Sequence, residues 1–269
     1  MTKKDGSYNF DGYVDQDEEI DRLERQANTV WNMERRVLQA AGVTPGMHVL
    51  DLGCGPGFLS RHIAELVGPA GRVTGIDVND RLIEAGRQRG LNDGQNQVEL
   101  RPGDCYSLDL PDASTDFVFA RLLFQHLSDP QRALAEARRV LRPGGRICVV
   151  DVDDGLVHLF PEPPGYHHFT RRVAEHQRTA GGDREVGRKL GYYLKTVEFT
   201  DIAVQITVIT SEQIGMQAFF NLAVSFKREL VPGDEREAAG AELERFHARM
   251  EQPGSFALMG VYVVTATRP

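Results

Sequence analysis

The chain has 269 residues, 41% of them hydrophobic and 26% charged, with a formal net charge of -8. That is ordinary globular composition, long enough for one doubly wound domain with added helices. The acidic balance disfavours a polyanionic partner such as nucleic acid. Three cysteines, Cys54, Cys105 and Cys148, show no metal-ligand spacing and argue against a disulfide framework. Residues 1–19 are polar and acidic, without the apolar core of a signal peptide, and no apolar run approaches bilayer length. A soluble, cytoplasmic protein is expected.

Residues 1–17 read as a flexible arm with Tyr8, Phe10 and Tyr13 as aromatic anchors. A helix is expected over 18–41, where Ile20, Leu23, Ala27, Val30, Trp31, Val37 and Leu38 make an apolar stripe, stopped by Gly42 and Pro45. An alternation follows: strand 48–52, helix 58–67, strand 72–77, helix 81–90, strands 98–101 and 115–120, helix 130–141, and strand 146–152 behind the turn Arg142-Pro143-Gly144-Gly145. Strands with consecutive apolar residues, such as Phe117, Val118 and Phe119, imply a parallel sheet covered on both faces.

From 153 to 182 the pattern breaks, and Pro161, Pro163 and Pro164 disfavour regular structure. This stretch reads as an insertion over the strand tips, with a helix near 169–179. A helix at 188–197 and an alternating strand at 202–209 come next. Thr210-x-x-Gln213 is a capping box before a helix with Met216, Phe219, Phe220, Ala223 and Phe226 on one face. An amphipathic helix at 235–250 and a strand at 256–266 close the chain. The expected organisation is an N-terminal arm and lid helix (1–41), a ligand-binding core (42–152), and a lid insertion plus completion of the sheet (153–269).

The chemistry gathers at Val49-Leu50-Asp51-Leu52-Gly53-Cys54-Gly55-Pro56-Gly57 and Thr74-Gly75-Ile76-Asp77. Glycines after a strand let a ligand approach the main chain, and an acid at the next strand tip can accept from a ribose diol. A dinucleotide fingerprint has its third glycine one residue later. Here Asp51, inside the strand end, would repel a pyrophosphate and suits a cationic amino group. Those features point to an adenosine that carries an amino acid.

Together with Gly103-Asp104-Cys105, Phe124-Gln125-His126-Leu127-Ser128-Asp129-Pro130 and Leu141-Arg142-Pro143-Gly144-Gly145, these segments resemble, in order, the motifs of class I S-adenosylmethionine-dependent methyltransferases. The resemblance covers roughly residues 35–152 and is closest to small-molecule enzymes of the quinone-biosynthesis and natural-product type. It implies a Rossmann-like α/β fold, a doubly wound, mostly parallel seven-stranded sheet with an N-terminal helix and a helical lid. It implies S-adenosyl-L-methionine as cofactor. Gly53, Cys54, Gly55 and Gly57 would pass beneath its methionine part, and Asp51 would help hold the amino group. Asp77 would grip the ribose, Val78 would pack on the adenine, Asp104 and the main chain at Cys105 would bond it, and Arg121 would contact the methionine end. Tyr13 and Gln26 would close over the cofactor.

For methyl transfer, His126 is a candidate general base beside a loop-bracing alternative. Among Asp151, Asp153 and Asp154, strand alternation makes Asp153 the preferred candidate. His167 and His168 are candidates to line the acceptor pocket, with Phe220 from the aromatic helix face. No metal is expected, since adjacent histidines rarely aim at one ion. The expected activity is methylation of a small, apolar or aromatic metabolite. Its rival is an S-adenosylmethionine-binding protein without methyl transfer. Methylation of RNA or protein is disfavoured: there is no basic stripe, and Ala120-Arg121-Leu122-Leu123 stands where an Asn-Pro-Pro-Tyr-type segment would. The expected partner is a small molecule, with neither nucleic acid nor membrane; homodimerisation is left open.

Overall fold

The computed structural model describes residues 7–8, 10–13, 15–90 and 97–269. In chain order, α1 (Gln16–Ala40) leads into β1 (His48–Leu52), α2 (Phe58–Val67), β2 (Arg72–Asp77), α3 (Asp80–Gln88), β3 (Val98–Pro102), β4 (Thr115–Arg121) and α4 (Pro130–Val140). Then come β5 (Leu141–Phe160), α5 (Tyr166–Thr179), α6 (Leu190–Thr196), β6 (Thr200–Thr210), α7 (Ser211–Ile214), α8 (Met216–Ala223), α9 (Arg236–Met250) and β7 (Phe256–Thr267).

Local chemistry sets the helix starts. The Asp15 carboxylate accepts from Glu18 N at 2.9 Å, and Asp17, Glu18 and Glu19 meet the positive end of α1. The Asn79 side chain caps α3, and Asp129 caps α4 with Pro130 in its first turn. The Thr210–Gln213 capping box forms as expected. The helix behind it breaks at Gly215 (φ 85°), which separates α7 from α8.

The strands form one sheet in the order β3-β2-β1-β4-β5-β7-β6. β1 pairs parallel with β2 and β4, β2 with β3, and β4 with β5; β7 runs antiparallel between β5 and β6. All five residues of β1 are buried, as a strand covered on both faces requires. The strand order reverses between β1 and β4, and ligands of such sheets bind outside the carboxyl ends at that point. Among the described residues no helix is long and apolar enough to cross a membrane.

One region departs from expectation. The strand placed at 146–152 continues to Phe160, and regular pairing with β7 persists through His158, Leu159 and Phe160. The prolines act only from Pro161 onward, so irregularity begins later than the pattern suggests. Within β5 the register slips: Val152 faces Val261, whereas Val157 faces Met259. Residues 153–156 form the resulting bulge, and a bulge re-aims side chains. The helix expected at 188–197 is a 3-10 turn, Gly187–Lys189, followed by the shorter α6.

Helices α5, α8, α9 and a 3-10 segment, Ser225–Leu230, pack on one another near the carboxyl edge of the sheet. Tyr166 and Phe169 meet Phe246 edge-on, with ring centroids 5.7 Å apart in each pair. Of the arm expected at 1–17, residues 1–6, 9 and 14 lie outside the described residues. The remainder is tied down: Phe10 is buried in a 3-10 turn, and Gly12 O accepts from Arg236 Nη1 at 2.9 Å.

Candidate functional site

Above the switch point lies a cavity of about 700 Å³. One end is built by the β1–α2 loop and the tips of β2 and β4. Gly53, Cys54, Gly55, Asp51, Asp77, Val78, Asp104, Cys105 and Arg121 line it, and Tyr13 and Gln26 reach it from the arm and α1. Gly55 has φ 55°, and a Cβ there would meet nothing within 4 Å, so bare backbone faces open space. Gly57 does not line the cavity. It caps α2 at φ 89°, and a Cβ would come within 2.6 Å of Leu100 Cδ2, so its place is set by packing.

Asp77 accepts from Gly55 N and Asn79 N, each at 2.9 Å, which fastens the glycine loop to the β2 tip. Asp104 accepts from Tyr106 N at 2.8 Å. Burial pushes both loop thiols up, Cys105 to about 12 with Asp104 and Asp77 adding to the effect. Neither forms the thiolate a nucleophile needs.

A charged cluster crosses this end. Buried Glu34 receives Arg121 Nε, while Arg121 Nη1 reaches Gln26 Oε1 at 3.2 Å. The second Glu34 oxygen, Oε2, is buried without a hydrogen-bond partner among the described residues. Asp51 accepts from Ser60 Oγ at 2.6 Å, and desolvation pushes its carboxyl up to about 7, with Asp77 and Glu34 adding to the rise. Sequence reasoning passed over Glu34. Its signal was an acid on the buried stripe Ala27, Val30, Glu34, Leu38.

The other end of the cavity is mostly apolar. Val152, Ile209, Leu222, Phe226, Met259 and Val261 line it, with Arg22, Arg184, Asp153, Asp154 and His126 as its polar groups. Arg22 is bidentate to Glu19, through Nε at 2.6 Å and Nη2 at 2.7 Å. His126 Nδ1 lies 3.0 Å from Ser7 Oγ, and the Tyr8 ring packs tilted against it at 5.3 Å between ring centroids. Burial, then Arg184 and Arg22, push His126 down to about 3. That imidazole is neutral and a feeble base. Its hydrogen bond to Ser7 matches the loop-bracing reading, and the general-base expectation is not supported.

Three further expectations need correction. Asp153 is cavity-lining, but its carboxylate is held by Arg188 through both oxygens, at 2.5 and 2.6 Å, and accepts from Gly155 N. The bulge turns Asp154, not Asp153, toward Arg184 and Lys227. Replacing Asp153 with Asn should lower stability by about 1–3 kcal/mol in a urea melt, because the Arg188 pair links β5 to the Gly187–Lys189 turn. His167 and His168 are exposed on the outer face of α5, whose buried residues are Tyr166, Phe169, Val173 and Gln177; His167 pairs with Glu162. Phe220 is buried outside the cavity, 4.7 Å from the His247 ring. Among the described residues no group of acids, histidines and cysteines could hold a metal ion.

Residues 50–149 match the family model described as "Methyltransferase domain". The chain is 41% identical over 111 residues to the ubiquinone/menaquinone biosynthesis C-methyltransferase UbiE of Bordetella avium, covering 41% of this chain and 43% of that protein. It is 33% identical over 136 residues to the demethylmenaquinone methyltransferase of Listeria monocytogenes, covering 51% and 54%. The matches thus span about half the length of these curated relatives. In structure it resembles phosphoethanolamine N-methyltransferase 2 of Haemonchus contortus, with TM-score 0.61 and 18% identity over 89% of this chain and 53% of that one. That similarity concerns the fold alone.

Proposed function

We propose, on the premise that residues 50–149 are a class I S-adenosylmethionine-dependent methyltransferase domain, that this chain transfers a methyl group from S-adenosylmethionine to a small apolar or aromatic metabolite. The observation that carries the reading is one continuous cavity with two unlike ends. The first is polar and carries charges of both signs; the second has apolar walls.

The residues of the first end fit the cofactor. Gly55 leaves room where a Cβ would intrude, and the orphaned Glu34 Oε2 lacks the donor that an α-ammonium supplies. Asp51 adds a second acid for that ammonium, and Arg121 is placed for the α-carboxylate. Asp77 is the ribose acceptor, and Val78, Asp104 and Cys105 form the adenine seat. Bound there, S-adenosylmethionine supplies an electrophilic methyl group on a sulfonium centre. The protein's tasks are alignment and exclusion of water, which Tyr13 and Gln26 serve from above. Residues 1–41 act as arm and lid, 42–152 as cofactor core, and 153–269 supply most of the acceptor end.

Titration of pure protein with S-adenosylhomocysteine should give binding heat. Incubation with methyl-labelled cofactor and a metabolite extract should then move label into a small organic product. Cofactor binding without transfer to any acceptor would count against this reading.

Asp51 gives a proton-linked prediction. In the folded chain burial holds its carboxyl near 7, above the unfolded value of about 3.9. The folded state therefore holds an extra proton between those values, and this group's share of stability falls as pH rises through that window. A ligand ammonium favours the carboxylate and drives the proton off. Binding of S-adenosylhomocysteine at pH 6 should release a proton, seen by calorimetry in buffers of different ionisation enthalpy. Affinity should rise from pH 6 to 8, and D51N should abolish both effects.

A further inference from the structure

The polar groups at the acceptor end have an unusual charge balance. Asp154 on the β5 bulge receives Arg184 through Nη2 at 2.7 Å and Nε at 3.1 Å, and Lys227 Nζ at 2.8 Å. Lys227 belongs to the Ser225–Leu230 segment and is fully buried, and Arg184 nearly so. The main chain locks the same pair, with Asp154 N donating to Arg184 O at 2.9 Å. Two basic side chains therefore share one carboxylate out of water: burial and the nearby Arg184 push Lys227 down, while its 2.8 Å contact with Asp154 favours the ammonium.

Among the described residues, the other charged groups that line this end are already paired. Arg22 is matched by Glu19, and Asp153 by Arg188. His126 and Tyr166 are uncharged at neutral pH. Asp151 lies on the face that binds Gln125 N and Val152 N, and burial pushes it up to about 7. It is only a partial counter-charge. Burying a net charge without a partner is costly.

Arg184 also has donors to spare. A guanidinium carries five N–H groups. Among the described residues they go twice to Asp154 and once, from Nη1, to the side chain of Gln125. The group lies over the Phe226 ring, 5.4 Å from its centroid, on the wall of the cavity. Among the described residues, the two carboxylates that line this end, Asp153 and Asp154, are both paired with arginines.

We propose that the acceptor binds as an oxyanion, a phenolate or enolate, on Arg184, with Lys227 supplying the excess positive charge through Asp154. This inference rests on the methyltransferase reading and names its substrate class. An acceptor that arrives ionised needs no general base. Its oxygen, or the conjugated carbon of the enolate, supplies the electron pair for the new bond to the methyl carbon. The methyl–sulfur bond breaks with its pair passing to sulfur. Anionic acceptor and sulfonium cation become a neutral product and a neutral thioether, and no proton remains to be placed. The methylated product has lost the charge that Arg184 holds, which favours its release.

The test uses protein saturated with S-adenosylhomocysteine and 4-nitrophenol as probe, because only its ionised form absorbs strongly in the visible. Binding should lower the probe's apparent pKa by about one unit or more, equivalent to at least tenfold tighter binding of the anion. The neutral ether 4-nitroanisole should compete poorly. R184Q and K227M should lose the shift while keeping the heat of S-adenosylhomocysteine binding. If R184Q does not fold, the unsubstituted protein and K227M still decide. An unchanged or raised probe pKa, no binding of the probe, or a shift that survives in both variants overturns the oxyanion site. Failure to bind S-adenosylhomocysteine at all overturns the methyltransferase reading instead.

Discussion

Replacing Asp77 with alanine is expected to weaken S-adenosylhomocysteine binding by on the order of 10²–10⁴-fold. Two losses combine. A ribose diol would donate two hydrogen bonds to this carboxylate, and each hydrogen bond to a charged group is worth about 1.5–3 kcal/mol. The same carboxylate accepts Gly55 N and Asn79 N, so its removal also frees the glycine loop from the β2 tip. D77N keeps one acceptor oxygen in place and forfeits the charge, so it should fall between the two proteins. Calorimetric titration reads all three. A loss under tenfold for D77A would move the ribose elsewhere and with it the orientation of the whole cofactor.

Gly86→Ala should be the most damaging single methyl group in the core. In an ordinary helix interior the change would help by up to about 1 kcal/mol. At this point of α3 a Cβ would lie 1.9 Å from Pro56 O and 3.0 Å from Leu100 Cδ1. The first contact is with main chain, so no rotamer relieves it. Either α3 lifts off the sheet or the glycine loop that carries Pro56 is displaced. The expected cost is about 3–5 kcal/mol, roughly 6–20 °C in Tm for a domain of this size, with S-adenosylhomocysteine affinity falling as well. Gly240→Ala is the internal control. Gly240 lies in α9 with nothing within 4 Å of its added Cβ, so that variant should match the parent or gain up to about 1 kcal/mol. A G86A protein that melts with the parent would show that loop and helix are not in contact.

The cofactor half of the molecule was legible in the sequence for a physical reason. Buried parallel strands must be continuous apolar runs, and a loop that turns tightly beneath a ligand must use glycine. Hence the bounds of β1, α2 and β2 agree with expectation to the residue. The acceptor half obeys no such local rule. Asp153-Asp154-Gly155 looks like the end of a strand, and only pairing with β7 carries β5 on to Phe160. Arg184 and Lys227 meet Asp154 from 30 and 73 residues away, a meeting that no spacing encodes. The histidine pair misled because it follows Tyr166 in the proline-rich insertion, yet the buried stripe of α5 turns His167 and His168 outward. Phe220 misled in the same way. The inner side of α8 is shared between packing, done by Phe219 and Phe220, and the cavity wall, supplied by Leu222 and Ala223.

The docked arm has a practical consequence for handling the protein. Ser7 N donates to His126 O at 2.9 Å, Tyr8 and Tyr13 line the cavity, and Gly12 is bonded to Arg236. At the far pole of the sheet, Thr267 pairs with Arg146, and Arg268 N bonds Gly145 O. An affinity handle fused ahead of Ser7 would start beside His126 and Tyr8, which line the cavity. One fused after Pro269 would trail from the opposite side, so paired preparations tagged at either side should differ in ligand exchange rates while melting alike.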